Sequence, residues 1–154
     1  KSGAAVGSVA AAHFAPAALE LGGKSAQLVF ADAELAAALD GVVEGITGSC
    51  GQMCIAGSRL FIQESIAEEF IAQIKVRFEN LVVGDPRESG TQVGPQVTEL
   101  QAKKTLDYIE IAKKDGGKLI AAAKVPSGAA LANGFYVPPT AFVNLPNSSA
   151  VVQE

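Results

Sequence analysis

The sequence predicts an α/β protein whose mainly parallel sheet is flanked by helices. Short apolar runs alternate along the chain with longer segments of helical periodicity, and this alternation is typical of strand–helix–strand units. The chain has 154 residues, of which 49% are hydrophobic and 18% charged. That length and composition are sufficient for one domain with a hydrophobic core.

Two helices are predicted in the first third of the chain. Residues 3–12 are rich in Ala, Gly and Val and predict a helix of small residues that Pro16 stops. Asp32 is a candidate N-cap for the second helix. Its apolar residues recur at helical spacing: Leu35, Leu39, Val42, Val43 and Ile46.

Two further helices are predicted after residue 64. Ser65 and Glu68 form a capping-box pattern that opens a helix through about Asn80. The apolar stripe of this helix is Ile66, Phe70, Ile74 and Phe78. Thr98 opens the last helix, which extends to about Lys114. Its inward-facing residues are predicted to be Leu106, Ile109 and Ala112.

Strands are predicted where short apolar runs lie between these helices. The predicted strands are residues 17–21, 26–30, 59–63 and 118–122. Residues 135–143 are predicted to be extended and interrupted by two prolines. Residues 82–97 and 125–134 are predicted to be loops, because they are rich in turn-forming residues.

Composition argues against several classes of protein. The net charge is −4 without a cluster of Lys and Arg, which disfavours a nucleic-acid partner. No apolar run reaches 18 residues, so we expect no membrane span. Cys50 and Cys54 are too close in sequence for a useful disulfide and have too few neighbouring ligands for a metal site. Reduced thiols predict a cytoplasmic protein.

The stretch LELGGKS at residues 19–25 has the last three residues of a phosphate-binding loop. A P-loop also needs a glycine five residues before Gly23, and that position is Ala18. The stretch is followed by a strand-like run instead of a helix. We therefore interpret Gly22 and Gly23 as a tight turn. Glu20, placed between two leucines, is the unusual residue, because a carboxylate in an apolar setting is costly unless the site uses it.

The stretch GSCGQMCIAGSR at residues 48–59 places Cys54 in a connection between a helix and a strand. Gly51 and Gly57 allow tight bends on both sides. Backbone N–H groups in such a turn favour a thiolate and later an oxyanion, so Cys54 is a candidate nucleophile. A buried structural cysteine is the alternative, and Cys50 is better described in that way.

Glu20 and Cys54 together suggest a reaction. A thiolate that attacks a carbonyl compound can form a thioester, and releasing the acid requires an activated water. A carboxylate whose pKa is raised by an apolar setting is a suitable base for that step.

The two motifs, LELGGKS and then GQMCIAGSR, resemble the two signatures of the aldehyde dehydrogenase superfamily. The resemblance continues through GDPRESGTQVGPQV, the QAKKTLDYIE helix, GFYVPPT and VVQE, and so covers nearly the whole chain. It implies the fold of the catalytic domain of that superfamily, with Cys54 as the nucleophile and Glu20 as the base.

The resemblance also implies the cofactor, NAD or NADP, and the residues near it. Leu21 and Gly22 would lie beside the nicotinamide, and Gln101 and Lys104 match positions near the nicotinamide ribose. For Gln101 and Lys104 an ordinary solvated helix face is the alternative. Lys24 is expected to be structural, and no metal is expected.

Residues 1–13 would be the end of a cofactor-domain helix, and residues 14–154 a catalytic domain truncated at both ends. The resemblance implies a small-molecule aldehyde substrate and a homo-oligomeric whole protein, either a dimer or a tetramer. We expect the 154 residues alone to be inactive, because the family's pyrophosphate-binding turn would precede them. Two alternatives stay open: a relative that transfers the acyl group to coenzyme A, which generally lacks the base, and an inactive structural fragment.

Overall fold

The computed structural model of the protein describes residues 2–128 and 131–154. Lys1, in the predicted first segment, and residues 129–130, in the predicted loop 125–134, lie outside the described residues. The elements, in chain order, are α1 (Ser2–Ala12), β1 (Ala26–Val29), α2 (Leu35–Thr47), a 3-10 turn (Gly48–Gly51), β2 (Arg59–Ile62), α3 (Glu64–Glu79), α4 (Glu99–Lys114), β3 (Lys118–Ala122), β4 (Thr140–Val143) and α5 (Ala150–Gln153).

Strands β1 and β2 form a parallel pair, and α2 is the crossover between them. Leu28 pairs with Phe61 and Val29 with Ile62. One face of the pair, which includes Val29 and Ile62, packs on the core, whereas Leu28 and Phe61 are exposed on the other. The predicted α/β class with a parallel sheet is confirmed.

Strands β3 and β4 form a second, antiparallel pair. Lys118 pairs with Val143 and Ala122 with Thr140, with a register shift between Leu119 and Ala121. A parallel bridge between Val83 and Val93 lies within the predicted loop 82–97. The sequence indicated that residues 135–143 are extended, but the direction of their pairing depends on contacts that local sequence does not determine.

Helix α3 supplies the centre of the hydrophobic core. Phe70, Ile74 and Phe78 are buried at 1%, 4% and 5% exposure, and they pack with Leu39 and Val42 of α2. This is the stripe that helical spacing predicts. Each such side chain contributes about 1.5–3 kcal/mol by leaving water, so α3 anchors the sheet to α2.

Two of the predicted helix starts are wrong. Asp32 does not cap α2, because a turn with a hydrogen bond from Ala33 N to Phe30 O delays the helix, and Glu34 is its N-cap. Ser65 does not open α3, because β2 leads directly into the helix and Gln63 is the N-cap. The backbone N–H of Gln63 donates to Val29 O, and its side chain accepts from Ala31 N.

The start of α4 is as predicted, but its buried face is not. Thr98 is the N-cap, and its hydroxyl accepts from Gln101 N at 3.3 Å. Ala112 is fully buried and Ile109 half-buried, whereas Leu106 is 44% exposed. The prediction for Leu106 is wrong because the described chain buries α4 at Ala102 and Ala112 and leaves Leu106 largely uncovered.

The predicted strand at residues 17–21 is also wrong. These residues are all described, and they form neither a helix nor a strand. Leu19 and Leu21 are 43% and 54% exposed. The segment runs past α1, where a Cβ built on Gly3 would lie 2.6 Å from Leu21 Cδ1. It has apolar residues of strand type, but the described chain supplies no backbone partner for them.

Candidate active site

The two sequence motifs meet because each one leads into a strand of the parallel pair. LELGGKS ends one residue before β1, and GQMCIAGSR includes the start of β2. Ala26 pairs with Arg59, and Arg59 N donates to Ser25 O at 3.1 Å. Neighbouring parallel strands begin at the same edge of a sheet, so the loops that precede them lie side by side.

Gly23 and Cys54 are in contact at that edge. A Cβ atom built on Gly23 would lie 3.0 Å from the carbonyl oxygen of Cys54, which is tighter than most real contacts of this kind. With a larger residue at position 23, the Cys54 carbonyl would have to shift slightly to make room. The second glycine of LELGGKS thus allows the backbone of the first motif to approach the backbone of the second.

Gln27 connects β1 to the segment that follows Cys54. Its side-chain amide donates to Gly57 O at 2.8 Å and to Val42 O of α2 at 3.1 Å. Gly57 N in turn donates to Gly45 O at 2.9 Å. A Cβ on Gly57 would collide with the Gln27 side chain. The exit of the cysteine loop is therefore fixed to both β1 and α2.

The two cysteines have different environments. Cys54 is exposed, whereas Cys50 is half-buried and packs against the hydrophobic core. The carbonyl oxygen of Cys50 accepts a hydrogen bond from Gln96 Nε2 at 3.0 Å. Accessibility therefore separates them in the way that the sequence predicts for a nucleophile at Cys54 and a packed thiol at Cys50.

A cleft of about 1230 Å³ contains all the site residues that the sequence singled out. Its lining includes Glu20, Leu21, Gly22, Cys54, Gln101 and Lys104. Two loops that precede β1 and β2 and the first turns of α4 contribute these residues. The arrangement places an accessible thiol, a carboxylate and polar helix side chains around one space.

Glu20 does not have the apolar setting that the sequence suggested. Its side chain is exposed, and the flanking leucines are exposed as well. That expectation is wrong for the described chain, because residues 17–21 enter no sheet, and Glu20 and Leu21 border the open cleft. Glu20 nevertheless lines the same cleft as Cys54.

Three cationic side chains, Lys24, Lys104 and Arg59, line one side of the cleft. Burial lowers the pKa of Lys24, and the positive charges of Lys104 and Arg59 lower it further. Lys104 Nζ lies 5.3 Å from the centre of the Tyr108 ring. The carbon at the centre of the Arg59 guanidinium lies 6.0 Å from the centre of the Phe61 ring. This side of the cleft therefore favours anionic or electron-rich groups, whereas the carboxylates of Glu20 and Glu154 lie elsewhere in the lining.

Leu21, Gly22, Gln101 and Lys104, the cofactor positions implied by the resemblance, all line the cleft. A Cβ built on Gly22 meets no heavy atom of the described residues within 4 Å, so Gly22 presents open backbone to the cleft. Leu21 beside it is 54% exposed. Gln101 and Lys104 are exposed on the facing helix and offer hydrogen-bond donors.

Several residues that shape the site were missed from the sequence. Gln27, Gln52 and Gln96 each make a hydrogen bond to backbone atoms more than 14 residues away. Gln27 could have been noticed as a polar residue inside the strand run AQLVF, because a half-buried amide needs partners. Gln52 and Gln96 lie in loops, where glutamine is ordinary.

Among residues 2–128 and 131–154, no group of three or more His, Cys, Asp or Glu is placed to hold a metal ion. The same residues contain no helix that is long and apolar enough to span a membrane.

Comparisons with known proteins give a consistent result. The profile of the aldehyde dehydrogenase family matches residues 1–154. A betaine aldehyde dehydrogenase of Rhizobium johnstonii is 39% identical over 153 residues, which are 99% of this chain and 31% of that protein.

Solved structures agree with the sequence comparisons. A betaine aldehyde dehydrogenase of Staphylococcus aureus in complex with NAD+ superposes with a TM-score of 0.92 at 31% identity, over 99% of this chain and 30% of that one. An NAD-dependent aldehyde dehydrogenase of Sinorhizobium meliloti gives 0.90 at 34% identity, over 99% and 30%. The chain thus spans about a third of the length of these relatives, and it belongs to the aldehyde dehydrogenase family.

Proposed function

We propose that the protein containing this chain oxidises an aldehyde to a carboxylic acid with NAD or NADP, using Cys54 as nucleophile and Glu20 as base. The observation that carries the proposal is the meeting of the two motifs: the Gly23 backbone contacts the Cys54 carbonyl, and Glu20 and Cys54 line one cleft. Membership of the aldehyde dehydrogenase family supports the reaction class. Relatives named as betaine aldehyde dehydrogenases and as NAD+ complexes support the substrate class and cofactor.

Cys54 begins the reaction. Its thiolate adds to the carbonyl carbon of the aldehyde, and the carbonyl oxygen becomes an oxyanion in a thiohemiacetal. The backbone N–H of Cys54 is the donor that we assign to this oxyanion, because a substrate bonded to the sulfur lies close to it. The exposed turn leaves room for the substrate on the open side of the sulfur.

Binding of the cofactor would involve the surfaces already described. Leu21 and Gly22 would lie against the nicotinamide, while Gln101 and Lys104 would bind its ribose. When bound, the cofactor would supply a hydride acceptor. The thiohemiacetal on Cys54 would lose hydride from its carbon, and its oxyanion would become the carbonyl of a thioester.

Glu20 completes the reaction. Its carboxylate accepts a proton from water while the water oxygen attacks the thioester carbon. The carbon–sulfur bond then breaks, the carboxylic acid leaves, and the Cys54 thiolate is regenerated. Exposure to the cleft gives Glu20 access to water in the described chain.

The test uses the longest natural polypeptide that contains these residues. Glu20→Gln should still form an acyl adduct on Cys54, detected by intact mass, but should hydrolyse it about 10²–10⁴-fold more slowly. Cys54→Ser should form no adduct. Glu44→Gln is the matched control, because Glu44 is an exposed carboxylate on α2 outside the cleft lining.

The outcomes also separate the alternative reaction. If Glu20→Gln turned over at the wild-type rate in water, Glu20 would not be the base. If the wild type and Glu20→Gln both released the acyl group only when coenzyme A was added, the protein would be an aldehyde dehydrogenase that transfers the acyl group to coenzyme A.

The other expectations from the sequence and from the resemblance stay predictions. These are the division of the chain into a cofactor-domain helix at residues 1–13 and a catalytic domain at residues 14–154, a homo-oligomeric whole protein, and a cytoplasmic location. Size-exclusion chromatography with light scattering would test the oligomeric state of the whole protein.

A further inference from the structure

The entrance to the cysteine loop has an unusual backbone conformation. Ser49 and Cys50 have φ values of 49° and 58°, and Gly51 follows with φ of 72°. Glycine adopts this left-handed region readily, but Ser and Cys rarely do. Neither residue belongs to the Asn and Asp types that tolerate it best. Contacts from elsewhere in the fold must therefore hold the turn in place.

The segment of residues 94–97 provides those contacts. Gln96 Nε2 donates to Cys50 O at 3.0 Å, and in the opposite direction Val97 N donates to Gln52 Oε1 at 3.1 Å. A Cβ built on Gly94 would lie 3.7 Å from the Cys50 sulfur. Two side-chain amides thus cross between the turn and the segment, one before and one after Gly51.

This arrangement determines where Cys54 lies. Gln52 N donates to Ser49 O at 3.1 Å, which closes the left-handed turn, and Cys54 follows two residues later. After Cys54 the chain is held again, because Ala56 N donates to Met53 O at 3.0 Å. The exposed sulfur is therefore held from both sides.

We propose that Gln96 is a positioning residue, which holds the carbonyl of Cys50 and so keeps Cys54 in its place beside Gly23. The proposal rests on the proposed role of Cys54 as nucleophile. Gln96 acts through the backbone of the turn, because its amide bonds to Cys50 O.

The test is competitive alkylation of Cys50 and Cys54 in the longest natural polypeptide that contains them, followed by peptide mapping. Gln96→Leu removes the donor and keeps the size of the side chain. It should raise the ratio of Cys50 to Cys54 labelling by about tenfold, the effect of losing one hydrogen bond of ordinary strength. Gln92→Leu is the matched control, because the Gln92 side chain accepts from Val82 N at 3.0 Å, away from the turn.

Gln96→Glu should make the labelling ratio depend on pH in a way that general destabilisation of the fold would not. When the new carboxyl is protonated, its O–H can donate to Cys50 O, so the labelling ratio should match that of the wild type. When it is ionised, the donor is lost and the ratio should rise as in Gln96→Leu. The ratio should therefore change with pH through the titration of that carboxyl, with circular dichroism unchanged.

Two results would overturn the proposal. One is a labelling ratio in Gln96→Leu equal to that of Gln92→Leu, and the other is a pH-independent ratio in Gln96→Glu. Failure of the proposed function would be a separate result. If Cys54→Ser in the whole protein still oxidised aldehydes, Cys54 would not be the nucleophile. The protection of Cys50 by Gln96 would be unaffected by that result.

Discussion

The hydrogen bonds of Gln27 predict a strong energetic coupling between positions 27 and 57. In Gln27→Ala both bonds of the amide are lost, at a cost of about 1–3 kcal/mol for two bonds of ordinary strength. In Gly57→Ala the new methyl group occupies the space of the Gln27 side chain, so the amide must leave the same two carbonyls. That variant should also lose about 1–3 kcal/mol.

The double variant loses those bonds only once. Its stability should therefore resemble that of Gln27→Ala, and the coupling energy should be about 1–3 kcal/mol instead of near zero. Urea unfolding followed by far-UV circular dichroism measures it, since the chain has no tryptophan. Additive single effects, within about 0.5 kcal/mol, would refute the reasoning, because they would show that the methyl group and the amide do not compete for one space.

Three further predictions concern α2, Lys24 and Asp85. On α2, Gly45→Ala should destabilise the chain, because its methyl group would meet Gln27 Oε1 at 2.8 Å. Gly41→Ala has open space around the methyl group and should raise stability by about 0.5–1 kcal/mol. A higher urea midpoint for Gly45→Ala than for Gly41→Ala would contradict this. Burial and neighbouring cations lower the pKa of Lys24, so the unfolded chain binds more protons between that pKa and 10.5. Wild-type stability should accordingly rise with pH in this window. Urea unfolding should show Lys24→Met to be more stable than the wild type at neutral pH, and the difference should disappear above pH 10.5. A difference that does not change with pH would contradict the prediction. Hydrogen bonds from Arg87 lower the pKa of Asp85 to about 2. The contribution of ionised Asp85 to folding stability should therefore be present above pH 3.8 and be lost as the pH falls through about 2. In urea unfolding between these two pH values, the stability of Asp85→Asn should lack this dependence on pH.

Local periodicity was sufficient to predict the elements that pack through their own side chains. The Phe70, Ile74 and Phe78 stripe is correct because one helix face determines it. Thr98 is correct because an N-cap acts within its own turn. Residues 17–21 were misjudged because apolar residues form a strand only where another strand can pair with them.

The candidate site residues could be selected from the sequence more readily than the residues that support them. Cys54 and Glu20 could be selected because their residue types and surroundings suggest chemistry. Their proximity follows from the parallel pairing of β1 and β2, which the predicted α/β class already contains. Gln96 could not be selected, because it lies in a loop and binds a carbonyl that is distant in sequence. Gln27 offered one signal, its polar side chain inside a strand run, but its partner Gly57 is equally distant in sequence.

The two reactive side chains are supported to different degrees, and this difference suits their proposed roles. The loop that carries Cys54 is tied to β1 and α2 after the cysteine and to residues 94–97 before it. A nucleophile gains from such bracing, because small displacements of a reacting atom are costly. Glu20 lies on an exposed segment outside the regular elements, near the Gly23 contact with Cys54. A base that acts on a water molecule tolerates a less fixed side-chain position. The fold therefore holds Cys54 more firmly than Glu20, and Cys54 is the residue whose position the proposed chemistry restricts more.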